Sequence, residues 1–235
     1  MAVNVDTVYQ RVLALANKEQ RGFIAPVEYN LYANQAQLDI FEQYFYDLNT
    51  FLRIPGNETR HSDMVDILEE KIAIFERFQQ AVTMTGANGL GTLPANYRMG
   101  SVWFNTGTRL VEVEHVSLHE LNDIINSPLT APTTERPIYV KRGEFAITCY
   151  PVADVNANVT CDFIAPPAQV IWNYTTVLNA PQYTATGSVN FELHASEETE
   201  LVIKILALAG IEIKQQDLYQ IAKAEETQNI QQENK

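Results

Sequence analysis

The sequence predicts an α+β protein: a helical bundle from the N- and C-terminal segments with an inserted antiparallel β-rich subdomain. Three observations predict it. Apolar residues recur at helical spacing through residues 1–85 and again from 194 onward. Between those stretches, past a glycine cluster at 86–91, the apolar period drops to two. A length of 235 residues is enough to bury a proper core in one domain or two small ones. The expected divisions are N-terminal helices over 1–85, a β-rich insertion with one short helix over 86–193, a C-terminal helix over 194–213, and a polar helix or tail over 214–235 that orders only when bound.

Val5, Val8, Val12 and Leu15 mark a first helix with Asp6 in its opening turn, and Gly22 ends it. Pro26 starts the second helix, where a missing N–H costs nothing. That helix carries two apolar stripes about 100° apart, one residue step on the cylinder. Val27, Leu31, Leu38, Phe41 and Phe45 form one; Tyr29, Tyr32, Ala36, Ile40 and Tyr44 form the other. A helix packed on one side needs a single stripe. The second stripe is therefore the expected inter-subunit interface: Tyr29, Tyr32, Ala36, Ile40 and Tyr44. A central helix inside one bundle would carry the same double pattern, and the sequence leaves both readings open. After a loop at 54–57, Ser62 is the expected cap of a third helix burying Val65, Leu68, Ile72 and Phe75.

Gly86, Asn88, Gly89, Gly91 and Pro94 make a turn cluster. Residues 110–116 then alternate, placing Val111 and Val113 opposite Glu112 and Glu114. Ser117 and Glu120 form a capping box for a short helix ending at Ile125, followed by a Pro- and Thr-rich loop over 127–137. Residues 138–141 and 144–150 read as a hairpin around Arg142 and Gly143, and 159–164 as a third strand; Trp172 to Tyr174 begins another short piece. Cys149 and Cys161 sit on the core-facing parity of neighbouring strands, buried and reduced, and would lie close if those strands pair. Ser196 is the expected N-cap of the returning helix, Leu201, Val202, Ile205, Leu206 and Leu208 its core, and Gly210 its stop. A last helix around Leu218 and Ile221 fades into a polar end.

The formal net charge of −13 argues against tight nucleic-acid binding, which needs clustered Lys and Arg, yet suits a surface past which DNA slides. No apolar run reaches the roughly 18 residues of a membrane helix, and the start MAVNVDTVYQ lacks the pattern of a secretory signal, so no membrane partner is expected. His115 and His119, with Glu120 adjacent, form the one arrangement suggestive of a metal-dependent hydrolase. Ser117 lies between them as a cap, however, so they do not share a helical face. The run from Gly89 to Pro94 resembles a dinucleotide loop with proline in place of its third glycine. Nucleophile-elbow, P-loop and HExxH motifs are lacking. No catalytic residue, metal or cofactor is expected, and the chain does not read as an enzyme.

Five runs carry a resemblance: ANKEQRGFI (16–24), ANQAQLDIFE (33–42), LPANYRMGSV (93–102), NSPLTAPTTERPIYV (126–140) and HASEETELVIKILALAGIEI (194–213). Together they resemble virion proteins of tailed bacteriophages, in particular the head–tail connector, or ring (adaptor), proteins of crAss-like and related Bacteroidetes phages. The resemblance implies a dodecameric ring in the virion neck, assembled in the host cytoplasm. Such a ring joins the portal to other neck or tail rings and surrounds the passing genome. Another virion ring, such as a tail-completion protein, is the alternative. In such adaptors a C-terminal segment docks on the portal. By position this is 214–235, with Leu218, Ile221 and Ile230 as its apolar contacts.

Overall fold

The computed structural model describes residues 3–18, 24–53, 59–85, 88–152, 158–178, 180–212 and 227. Among these the helices are α1 (Val5–Lys18), α2 (Pro26–Arg53), α3 (Thr59–Ala73), α4 (Leu121–Asn126) and α5 (Glu198–Glu212). The strands are β1 (Glu76–Ala81), β2 (Thr83–Thr85), β3 (Leu90–Thr92), β4 (Arg98–Asn105), β5 (Leu110–Glu112), β6 (Glu114–His115), β7 (Ile138–Lys141), β8 (Ala146–Tyr150), β9 (Val159–Ile164), β10 (Tyr174–Val177) and β11 (Ala180–Tyr183). The class is α+β. The chain divides into two compact units, Met1–Ile74 with Pro167–Lys235, and Phe75–Pro166.

In the first unit, Val5, Val8 and Val12 line the buried side of α1. Asn4 caps that helix, its Oδ1 accepting from the N–H groups of Asp6 (2.8 Å) and Thr7 (3.1 Å). At the head of α2 the Glu28 carboxylate reaches back to the N–H of Ala25 (3.2 Å), the return half of a capping box in front of Pro26. α3 starts at Thr59, so Ser62 lies within its first turn and is not the cap. A short 3-10 turn, Ala195–Glu197, precedes α5, and His194 rather than Ser196 caps it, Nδ1 accepting from the Ser196 N–H (3.3 Å). α5 continues through Gly210 to Glu212. Burial of Leu201, Val202, Ile205, Leu206 and Ala209 outweighs the roughly 1 kcal/mol that a helical glycine costs.

Residues 167–193, expected in the β-rich insertion, belong instead to this helical unit. The cause is a polar ladder on α2. Asn34 accepts from the N–H of Val170 (2.8 Å) and donates to its carbonyl (2.9 Å). Asn30 treats Trp172 the same way, at 2.8 and 3.3 Å. Gln37 donates to the carbonyl of Ala168 (2.8 Å) and accepts from the N–H of Glu192 (3.1 Å). Four residues of helix advance about 6 Å and two residues of extended chain about 6.6 Å. Amides a turn apart therefore fall opposite alternate residues of an extended segment. The ladder seats Trp172, which is buried against Tyr9 (4.5 Å between centroids) and donates its indole N–H to Asp6 (2.9 Å).

The second unit is a β-sandwich. One sheet has the order β1-β9-β4-β5 and the other β2-β3-β8-β7-β6, antiparallel except for the β6–β7 pair. Val102, Phe104, Cys161 and Phe163 from the first share a buried cluster with Tyr139, Ile147 and Cys149 from the second. The two cysteines thus belong to one core but to strands of different sheets; β8 and β9 do not pair. The alternating run at 110–116 is split at Val113, whose N–H bonds to the Val102 carbonyl (2.8 Å). The next N–H, of Glu114, bonds to the Pro137 carbonyl (3.0 Å), so the chain changes sheets there. β1 and β2 occupy residues expected to end the helical segment, which moves the start of the β-rich unit from 86 to 75. Ser117 Oγ accepts from the His119 N–H (3.3 Å), and α4 begins at Leu121 with no side-chain cap, so the expected capping box does not form. Gly89 (φ +64°) turns so tightly that a Cβ would sit 2.4 Å from the Cys149 carbonyl oxygen. The glycines of the 89–94 run thus serve strand packing rather than a phosphate.

Replacing Asn34 with leucine is expected to destabilise the helical unit by about 2–4 kcal/mol, because it strands both backbone groups of Val170. Denaturant unfolding of the variant checks this; an unchanged midpoint would show the ladder to be dispensable.

Candidate interaction surface

α2 buries the stripe expected to face a sister molecule. Tyr29, Ala36, Ile40 and Tyr44 are all buried within the same chain. Tyr29 donates its hydroxyl to the Val5 carbonyl (3.0 Å) and packs 4.5 Å from Tyr9, and Lys71 Nζ lies 5.4 Å from the Tyr44 ring. Tyr32 is half-buried. These side chains form the bundle's own core, the other reading that the double pattern allowed, and the interface assignment is corrected accordingly. The sister-facing role fails for a simple reason: the extended segment 168–172 and α5 both pack on α2, so two of its sides are already taken.

The surface left open is the other stripe. Val27 is 60% exposed, Leu31 67%, Leu38 37% and Leu52 63%, while Phe41 is buried and Phe45 half-buried. Leu31, Leu38, Phe45 and Leu52 recur every seven residues. On a straight helix that spacing drifts only about 20° per repeat and draws one line about 32 Å long. Glu28, Gln35, Glu42 and Asn49 lie exposed beside it. One apolar residue per heptad is half of a coiled-coil seam. Scattered exposed leucines need no explanation, whereas an aligned row is a candidate contact surface. The sequence reading placed Leu31, Leu38 and Phe45 in one stripe without Leu52 and put the interface on the other stripe; the seven-residue repeat, flanked by polar residues at fixed offset, was the available signal.

The remaining chemical candidates disperse. His115 lies exposed on β6, its ring 5.1 Å from that of Tyr139, whereas His119 and Glu120 stand exposed in the turn before α4. Among the described residues no group of three His, Cys, Asp or Glu side chains is placed to hold a metal ion, and no helix is long and apolar enough to cross a membrane. A cavity of about 50 Å³ lies between α2, α3 and the start of α5, lined by Tyr44, Asp47, Lys71, Glu197 and Glu200. It has room for a few waters and no more. Burial alone would raise the Glu197 carboxyl, but Lys71 (2.7 Å) holds it below the usual carboxylate range. Burial raises Asp47, against Gln43, Lys71 and Lys204. This charged cluster ties three helices together. Leu218, Ile221 and Ile230, assigned to portal docking, lie outside the described residues.

No known protein family matches the chain, and no curated protein matches it in sequence.

Burial pushes the thiol of Cys149 up from 9.0 to about 12 and that of Cys161 to about 11, and the Tyr9 hydroxyl from 10.0 to about 12. Each folded value exceeds the unfolded one, so the stabilisation is complete below pH 9 and is lost as pH rises through 11 to 12. Denaturant midpoints are therefore expected to fall between pH 9 and 12, and neither thiol should react with a disulfide reagent at pH 8 without denaturant. Rapid labelling of the native protein would contradict the burial.

Proposed function

We propose that the chain is a structural ring protein of a tailed-phage neck, connecting portal to tail and surrounding the DNA passage. The observation that supports this best is the apolar row on α2, of which the described residues leave Leu31 and Leu52 largely exposed. A rotational ring joins one surface of each copy to a different surface of the next, so every subunit keeps an apolar face for its neighbour. In this reading the two chain ends form a helical bundle and the β-rich segment is a subdomain inserted between them. The likeness of the five sequence runs to connector proteins of crAss-like phages supports the same reading. An acidic chain suits the wall of a DNA channel, because the phosphates do not stick to it. The segment 214–235 is the part offered to the portal.

Leu31→Glu, at a side chain 67% exposed, is expected to change fold stability by no more than about 0.5 kcal/mol, and Leu38→Glu, at one 37% exposed, by about 1–2 kcal/mol. Either should nevertheless prevent the folded chain from joining particles, as judged by electron microscopy and particle composition. A particle reconstruction that leaves the α2 row facing solvent, or particles that lack the chain, would overturn the proposal.

A further inference from the structure

Two features remain unused, one on each unit. The first is a knob. The β10–β11 hairpin pairs Val177 with Ala180, and Leu178 enters the turn that joins the two strands. Leu178 is 98% exposed at that turn, and its φ is +51°. Turns of this kind favour Asn or Gly; a leucine in the left-handed region costs roughly 1–2 kcal/mol and gains nothing from burial here. A strained, fully exposed apolar tip is the kind of outlier from which a functional hypothesis is drawn. The tip is held on a firm base. Tyr174 and Tyr183 flank Trp172 at 5.7 and 5.8 Å, and the Thr184 N–H bonds to the Asn173 carbonyl (2.9 Å). Residues 174–184 contain no charged side chain.

The second is a hole. β9 is flanked by β1 and β4, and both slip register at the same level, between Arg77 and Gln80 and between Met99 and Val102. Each neighbour thus sets two residues against Asp162 alone. Its carboxylate accepts from the Gln79 N–H (2.8 Å) and the Trp103 indole N–H (2.6 Å). Paired bulges re-aim side chains and open the sheet surface. Here they leave a groove of about 200 Å³ with Met99, Phe163 and Ile164 as its floor and Phe78, 68% exposed, as a wall. Glu76, Arg77, Arg98 and Asp162 line it too.

We propose that Leu178 of one copy seats in the β1–β4 groove of a second copy, the head-to-tail contact that a closed ring requires. The inference deepens the ring reading and rests on it. Size supports the occupant: a cavity of roughly 150 Å³ accepts a benzene ring, so about 200 Å³ takes a leucine side chain with part of Val177. Charge supports it too. An uncharged tip brings no charge into the groove, and its carbonyl and hydroxyl groups can accept from Arg98. An apolar knob and a complementary pocket elsewhere on the same molecule make a heterologous contact.

Disulfide capture tests it on the full chain, free in solution and in assembled particles. A mixture of Leu178→Cys and Arg98→Cys protein should give linked dimer about tenfold more readily than either variant alone, since Cys149 and Cys161 are buried. Capture by Leu178→Cys alone at the same rate would show random tip collisions and overturn the proposal. Leu178→Gly provides a second reading, because relief of the strained φ should raise the melting temperature while self-association weakens roughly tenfold. Unchanged association in that variant would also overturn it. If Leu38→Glu abolishes assembly while the Leu178 variants do not, the ring stands and this contact falls. If the unmodified chain neither self-associates nor enters particles, both fall.

Discussion

The helical unit is organised by three amide side chains on one face of α2. Asn30, Asn34 and Gln37 offer donors and acceptors at the spacing of alternate residues in an extended strand, so a helix serves where a neighbouring strand would otherwise be needed. Buried backbone groups must find partners, and without this ladder the segment 168–172 could not lie against a helix. Its position in turn fixes Trp172. That indole, with Tyr9 and Tyr29, ties α1 to α2 through ring contacts and through hydroxyl bonds to the carbonyls of Ile24 and Val5. Tyr29, expected at an interface, is committed to the interior by the same arrangement.

Much of the fold was legible where one apolar period runs unbroken. α1, α2, α5, β7, β8 and β9 all show it, and β9 matches the expected 159–164 in full. Elements whose period is interrupted were missed. In β4 the inward residues Met99 and Val102 are an odd number apart because a bulge intervenes, which erases the alternation. β1 carries the matching bulge and a positive φ at Gln79, and its sequence ERFQQA is mostly exposed. β2 and β3 are three residues each, and Gly91 in β3 with Gly89 just before it read as a turn although neither position has room for a Cβ.

Allocation of residues 167–193 failed for another reason. A hydrophobic pattern is blind to polar ladders, and nothing local to that segment announces that amides more than 130 residues earlier will hold it. The two stripes of α2 were visible, but which of them faces inward depends on partners remote in sequence. Periodicity reports that a face is apolar; only the remaining chain determines whether it is covered. The candidate surface was therefore half legible, with Leu31, Leu38 and Phe45 named as a stripe, Leu52 missed, and the interface placed on the stripe that the fold buries.

The crossing at Val113 has a mechanical consequence. The strand that ends at Glu112 is bonded into one layer of the sandwich and the strand that begins at Glu114 into the other, and β1 and β2 change layers the same way at Val82, so two single residues stitch the layers together. Sliding one layer over the other would have to tear the amide of Val113 from Val102 before any side-chain packing could yield. Under load the sandwich should therefore resist shear along the strands at both edges, because the crossing at Val82 holds the edge strand β2 as the one at Val113 holds β6.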